Sequence, residues 1–315
     1  LLGTSALVCL ALAAPVMAND FVITQSDNST NGPGIADTDI DGSHTVSLVT
    51  ALTTTGTNEG IQTSADGNAI TVTEAGSITT GTGNEAYGIY NNGDDNTTIM
   101  SGSISTTAER AYGIYNEGNG NTTIMSGSIS TTGYRGYAIN NYGSGNTTTM
   151  SGSISTTGFR GGLLNFGDDN TTTMSGSIST AGEEGFGIWN YGSGNTTTMS
   201  GSISTTGTNG YGIYNQIHNK SSGNTTTISG TVKATGAKSA ALYNVYGSGN
   251  SFTLNEGATI IGDILASDAT NNAADATNSK LIFNLGASTS YAYSVSGKGE
   301  GTGAGQWTFS DLDGR

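Results

Sequence analysis

The chain has 315 residues, of which 10% are charged and 34% hydrophobic, with 50 glycines and a net charge of −15. An acidic body of this kind excludes nucleic acid as a partner, because phosphates demand a basic stripe. The single cysteine, Cys9, lies in the N-terminal apolar run, so neither a disulfide framework nor a thiolate metal site is open to the rest of the chain.

Leu1 to Ala18 reads as an export signal with a truncated n-region. Leu7-Val8-Cys9-Leu10-Ala11-Leu12-Ala13-Ala14 supplies the apolar core, and Val16-Met17-Ala18 a small-residue cleavage site ahead of Asn19. No later stretch approaches the roughly 18 apolar residues of a membrane helix. Residues 19–60 are expected to form N-terminal cap strands, Phe21-Val22-Ile23-Thr24 and Thr45-Val46-Ser47-Leu48-Val49, around the turn-rich Asn31-Gly32-Pro33-Gly34.

From 61 to 265 the chain repeats itself. The phrase Asn-Thr-Thr-(Ile/Thr)-Met-Ser-Gly-Ser-Ile-Ser-Thr-Thr opens at Asn96, Asn121, Asn146, Asn170 and Asn195, then more loosely at Asn224 and Asn250. The intervals are 25, 25, 24, 25, 29 and 26 residues, and a degenerate copy starts at Asn68. A fixed period of this size means a stack in which each unit buries its apolar face against its neighbours. In residues 96–120, Thr98, Met100, Ile104 and Thr106 share one parity, with a kink at Gly102. A turn at Ala108-Glu109-Arg110 leads to a strand at 111–116, and Glu117-Gly118-Asn119-Gly120 closes the unit. Two or three short strands with Gly/Asn corners leave no room for a helical crossover. The predicted fold is all-β: a right-handed parallel β-helix of eight or nine coils of roughly 25 residues, about 4.8 Å apart, making a rod on the order of 40 Å long.

Stacking then predicts ladders. One interior row is Ile78, Ile104, Ile129, Ile154, Ile178, Ile203 and Val232; a second is Ile89, Ile114, Ile139, Leu163, Ile188, Ile213 and Leu242. Two residues after the second row comes an Asn in every coil: Asn91, Asn116, Asn141, Asn165, Asn190, Asn215 and Asn244. Inward Asn side chains satisfy corner backbone groups and bond to their own kind above and below, a structural ladder.

Between Ile and Asn sits an outward, aromatic-leaning position, with Tyr90, Tyr115, Trp189, Tyr214 and Tyr243 interrupted by Asn140 and Leu164. A second row, Tyr87, Tyr112, Tyr137, Phe186 and Tyr211, shares parity with the Ile residues or covers a corner. Outward aromatics suit binding to sugars or to another protein, and equally suit cross-coil stacking that stiffens the sheet. Arg110, Arg135 and Arg160 recur at one turn, with Glu109 and Glu183-Glu184 nearby. Like charges stacked about 5 Å apart repel, so solvent, the glutamates or an anionic ligand must compensate.

Catalytic constellations are weak. Asp94-Asp95 and Asp168-Asp169 occupy equivalent turns three coils apart, which is about 14 Å at the coil spacing and beyond a glycosidase pair. Only His44 and His218 exist, with no Gly-Asp-Ser-Gly setting for a serine nucleophile. The recurrent Ser-Gly-Ser reads as a strand corner. The expectation is a non-enzyme without cofactor or metal.

A loop at 266–280 precedes a strand-rich stretch at 281–315, with Leu281-Ile282-Phe283-Asn284-Leu285, Tyr291-Ala292-Tyr293-Ser294-Val295 and Gln306-Trp307-Thr308-Phe309-Ser310, expected to be truncated. With its export signal, Cys-free acidic body and Asn-Thr-Thr/Ser-Gly-Ser-Ile coils, the chain resembles the passenger region of bacterial autotransporters. The resemblance covers most of residues 19–315 and is compositional. It implies display at the cell surface through a C-terminal outer-membrane β-barrel, for which no repeated lipid-facing strands are present in this sequence. It also implies an adhesive or aggregating role, with a host surface, a glycan or a like molecule as partner. A polysaccharide-active β-helix enzyme and a passive stalk presenting another domain are the alternatives.

Overall fold

The computed structural model describes residues 20–23, 27–29, 45–216, 223–245, 249–267, 280–284 and 308–311. The expected export signal, Cys9, His44, His218 and the strand expected at 291–295 lie outside the described residues.

Each of the nine coils from Thr45 to Ser267 contributes one strand to each of three parallel sheets. In the coil of residues 96–120 these are Thr97–Met100 in the first sheet, Ser103–Thr106 in the second and Ile114–Asn116 in the third. Among the described residues the sheets hold 12, 10 and 9 strands. The result is a parallel β-solenoid of about nine turns of roughly 25 residues. In the first sheet the stack runs on beyond residues 61–265, to Asp20–Ile23 at one end and Thr308–Asp311 at the other.

Like stacks on like. Ile78, Ile104, Ile129, Ile154, Ile178, Ile203 and Val232 pair in register through the second sheet. The row from Ile89 to Leu242 does the same in the third. Met100, Met125, Met150, Met174 and Met199 form a further buried column in the first. Period-2 alternation points these side chains into one continuous core and their Ser and Thr neighbours outward.

The corner between the first two sheets is only Ser101-Gly102. A Cβ at the equivalent Gly127 would lie 1.9 Å from the carbonyl oxygen of Gly102 in the coil before. Close backbone approach therefore dictates glycine here. The third-sheet strand is shorter than the 111–116 span predicted from sequence. Residues Ala111 to Gly113 belong to the corner, where the Ala111 N–H turns back to the Ala108 carbonyl at 3.3 Å.

Two asparagine columns line the corners of the third sheet. Asn116 Nδ2 donates to Asn141 Oδ1 at 2.8 Å and to Thr123 Oγ1 at 3.1 Å, and the pattern recurs from Asn91 to the Asn190–Asn215 pair. Asn215 and Asn244 continue the register. The second column consists of the residues that open each repeat. Asn96 N–H donates to Asn121 Oδ1 at 2.7 Å, and like bonds connect Asn68 through to Asn250. All are buried, so these amides satisfy backbone and side-chain groups that water does not reach.

Candidate ligand-binding face

Alternation along Ile-Tyr-Asn turns the middle residue outward, and register makes those residues a row down the third sheet. Tyr90 stacks on Tyr115 with centroids 5.2 Å apart and planes 9° from parallel; Tyr214 stacks on Tyr243 at 5.2 Å. The row from Tyr87 lies on this same outer side, since Tyr112 packs edge-on against Tyr115 at 5.2 Å. Tyr87 and Tyr112 precede their strands, so the corner and not strand parity sets their direction. Two further stacks escaped the sequence reading. Tyr142, Phe166 and Tyr191 stack at 4.8 Å intervals, and Tyr134 lies on Phe159 at 4.8 Å. Their signal was available: three successive coils place an aromatic directly after the ladder asparagine.

The arginines border this face. Arg110, Arg135 and Arg160 occupy one corner position with φ of 55°, 56° and 55°, and Glu85, Glu184, Asn209 and Lys238 fill it in other coils. Left-handed backbone favours glycine. The other corner of the third sheet follows that rule with Gly67, Gly120, Gly145 and Gly194, varied by Asp95 and Asp169. The arginine corner keeps long side chains where glycine would be less strained. Strain retained in this way points to a use for the side chain.

Glutamates compensate the ends of the column. Glu85 pairs with Arg110 at 3.5 Å, and Glu184 with Arg160 at 2.8 Å. Glu183 meets Arg160 through its backbone carbonyl. Burial works against the Arg160 charge, yet its bond to Glu184 prevails and raises its pKa. Arg135, in the middle, lies 5.3 Å over the Tyr134 ring, and its Nε is buried without a partner.

Row one loses its aromatic where Asn140 and Leu164 stand, and row two where Gly162 stands, two residues after Arg160 as Tyr137 is after Arg135. The gap is a groove of about 440 Å³, bordered by Arg110, Arg135 and Arg160 and walled by Tyr112, Tyr137, Tyr142, Phe166 and Trp189. A second groove of about 460 Å³ continues toward Tyr243 and shares Arg160, Trp189 and Tyr191 with the first. Asn140 is 4% exposed and Trp189 8% exposed. Asn140 Oδ1 and Trp189 Nε1 are both unpartnered. Burial raises the pKa of Tyr87, Tyr112, Tyr115, Tyr137 and Tyr211, so the phenols stay neutral.

The paired carboxylates do other work. Asp94 Oδ1 accepts the N–H of Asn119 at 2.6 Å, and Asp168 Oδ1 that of Ser193 at 2.7 Å, each capping the next coil. Among the described residues no group of three His, Cys, Asp or Glu is placed to hold a metal ion. No helix there is long and apolar enough to cross a membrane. A groove of about 620 Å³ follows the Ser-Gly-Ser corners, lined by Ser101, Ser126, Ser151 and their neighbours. It is a by-product of the corner geometry. No family model, curated protein or solved structure matches this chain.

Proposed function

We propose that this chain is the surface-displayed passenger of an autotransporter, exported to the cell surface or outer membrane and acting as a non-catalytic β-helical scaffold for adhesion or aggregation. The third-sheet face is its adhesive surface. One observation carries this reading: of the three outward faces, one bears an aromatic strip interrupted by a groove, while strands of the other two present mostly Thr and Ser. Exposed aromatic surface on a rigid support is typical of recognition sites. Tyr134, Tyr142 and Phe166 are 46%, 46% and 38% exposed, so rings are available to a partner.

Cells displaying the chain are expected to adhere or to settle together. Replacing Tyr142 and Phe166 by Ser should abolish that behaviour at equal surface level, measured by flow cytometry and sedimentation. Undiminished adhesion would favour the passive stalk. Reading the gene beyond residue 315 for a C-terminal β-barrel tests the export route separately.

A further inference from the structure

Building on the reading of this face as a binding surface, we propose that its occupant is an acidic oligosaccharide, a short run of carboxylate-bearing sugar rings lying along the rod axis with one carboxylate on Arg135.

Shape comes first. The two grooves meet at Arg160, Trp189 and Tyr191, making one trough that follows the stack from coil to coil. A trough suits a linear polymer better than a compact metabolite, and each groove alone has the size of a small-molecule site. Its walls include rings stacked on one another along the rod, with Phe166 between Tyr142 and Tyr191, and their apolar edges line the trough where the C–H groups of pyranoses can pack.

Unmet hydrogen bonds give the polar half. Arg135 Nε and Trp189 Nε1 are buried donors without acceptors, and Asn140, whose side chain is bonded to Tyr112, keeps a buried Oδ1 without a donor. Each is costly to leave unmade. Sugar hydroxyls supply donors and acceptors from the same atom, which matches this mixed set.

Charge makes the ligand anionic. The coil from Asn121 to Gly145 contains no Asp or Glu, and Arg135 is its one charged residue. Three of the chain's nine Lys and Arg occupy this corner in successive coils, in a body of net charge −15. Glu85 and Glu184 neutralise the outer two and leave the central guanidinium to a ligand. Arginine forks hold carboxylates well. A neutral sugar would leave that fork unused, and a carboxylate alone would leave the Trp189 and Asn140 hydrogen bonds unmet.

The test uses the full chain and a hyaluronan octasaccharide, with its methyl-esterified form and poly-glutamate as comparators, by isothermal calorimetry. Binding is expected for the octasaccharide, at least about tenfold weaker for the ester, and weakening with added salt. Arg135→Gln should weaken it by about tenfold or more, and Trp189→Phe, which keeps a ring but removes the Nε1 donor, by less. Both variants should keep the parent circular-dichroism spectrum; Ser130→Ala, on another face, should bind as the parent does. No binding, equal binding of the ester, equal binding of poly-glutamate, or full binding by folded Arg135→Gln would each overturn the proposal. If cells still adhere through the aromatic face while the octasaccharide fails, the acidic-sugar assignment falls and the adhesive reading stands.

Discussion

The second and third sheets share one inner rule and obey different outer ones. Inward, both carry an unbroken aliphatic row buried to within a few percent. Outward, the second sheet repeats serine in five coils, Ser105, Ser130, Ser155, Ser179 and Ser204, in register. The third sheet offers Tyr, Tyr, Asn, Leu, Trp, Tyr and Tyr in its seven coils from Tyr90 to Tyr243. Stacking dictates the inner residues, since each must fill the space over its neighbour. It does not dictate the outer ones. A perfectly repeated face is a uniform surface; a groove requires that the repeat be broken, and it is broken at Asn140, Gly162 and Leu164.

The sharpest way to break the comparison is to disturb what the sheets share. Asn141→Ala removes the partner of Asn116 Nδ2 and of Asn165 Oδ1, both inside the stack. Two orphaned buried groups at about 1–3 kcal/mol each predict a loss of about 2–6 kcal/mol, read by urea unfolding and by hydrogen exchange in the neighbouring coils. A change below about 0.5 kcal/mol would mean that the ladder is incidental. Gly127→Ala comes next, because its methyl group meets a backbone carbonyl and not a yielding side chain. Overpacking of this kind costs about 1–3 kcal/mol. The same substitution at Gly145, where a Cβ meets nothing within 4 Å, is strained by its φ of 69° alone and should cost less.

Most of the inner architecture was legible in the sequence. Ile104, Ile129 and Ile154 are spaced by 25 residues and land on one another, because a fixed period and a parity of two suffice to place them. The corners were less legible. Parity fails where the chain turns, so the sequence allows Tyr112 two directions, and the start of the strand at Ile114 decides between them. The capping role of Asp94 was hidden because an aspartate in a turn has the same appearance as a solvated carboxylate. The groove was legible only as missing aromatics; its walls at Tyr142 and Phe166 come from a corner position whose direction no periodicity fixes.

Alkaline pH separates the sheets without mutation. The phenols of Tyr87, Tyr115 and Tyr137 are held above their ordinary value of 10.0, chiefly by burial. The neutral form therefore belongs to the fold. Stability is complete below pH 10 and falls as pH climbs past it, because the unfolded chain ionises first. Tyrosine absorbance should show a delayed fraction that ionises together with loss of third-sheet hydrogen-exchange protection. A single transition at the free-phenol position, with protection intact, would contradict the burial of these rings.

The smallest effects compare the two outer faces directly. Tyr115→Ala removes stacking on Tyr90 at 5.2 Å and edge contacts with Tyr112 and Tyr142. Such aromatic pairs contribute about 0.5–1.5 kcal/mol beyond area burial, and a measurable drop in thermal midpoint is expected. Ser130→Ala, outward on the second sheet between Ser105 and Ser155, should stay within about 0.5 kcal/mol of the parent. The inequality tests whether the aromatic strip also stiffens the rod. If both variants melt with the parent, the rings are held in place by the coils and return nothing to them, and recognition is left as the physical reason for keeping so much apolar surface on one side of an otherwise Ser- and Thr-clad stack.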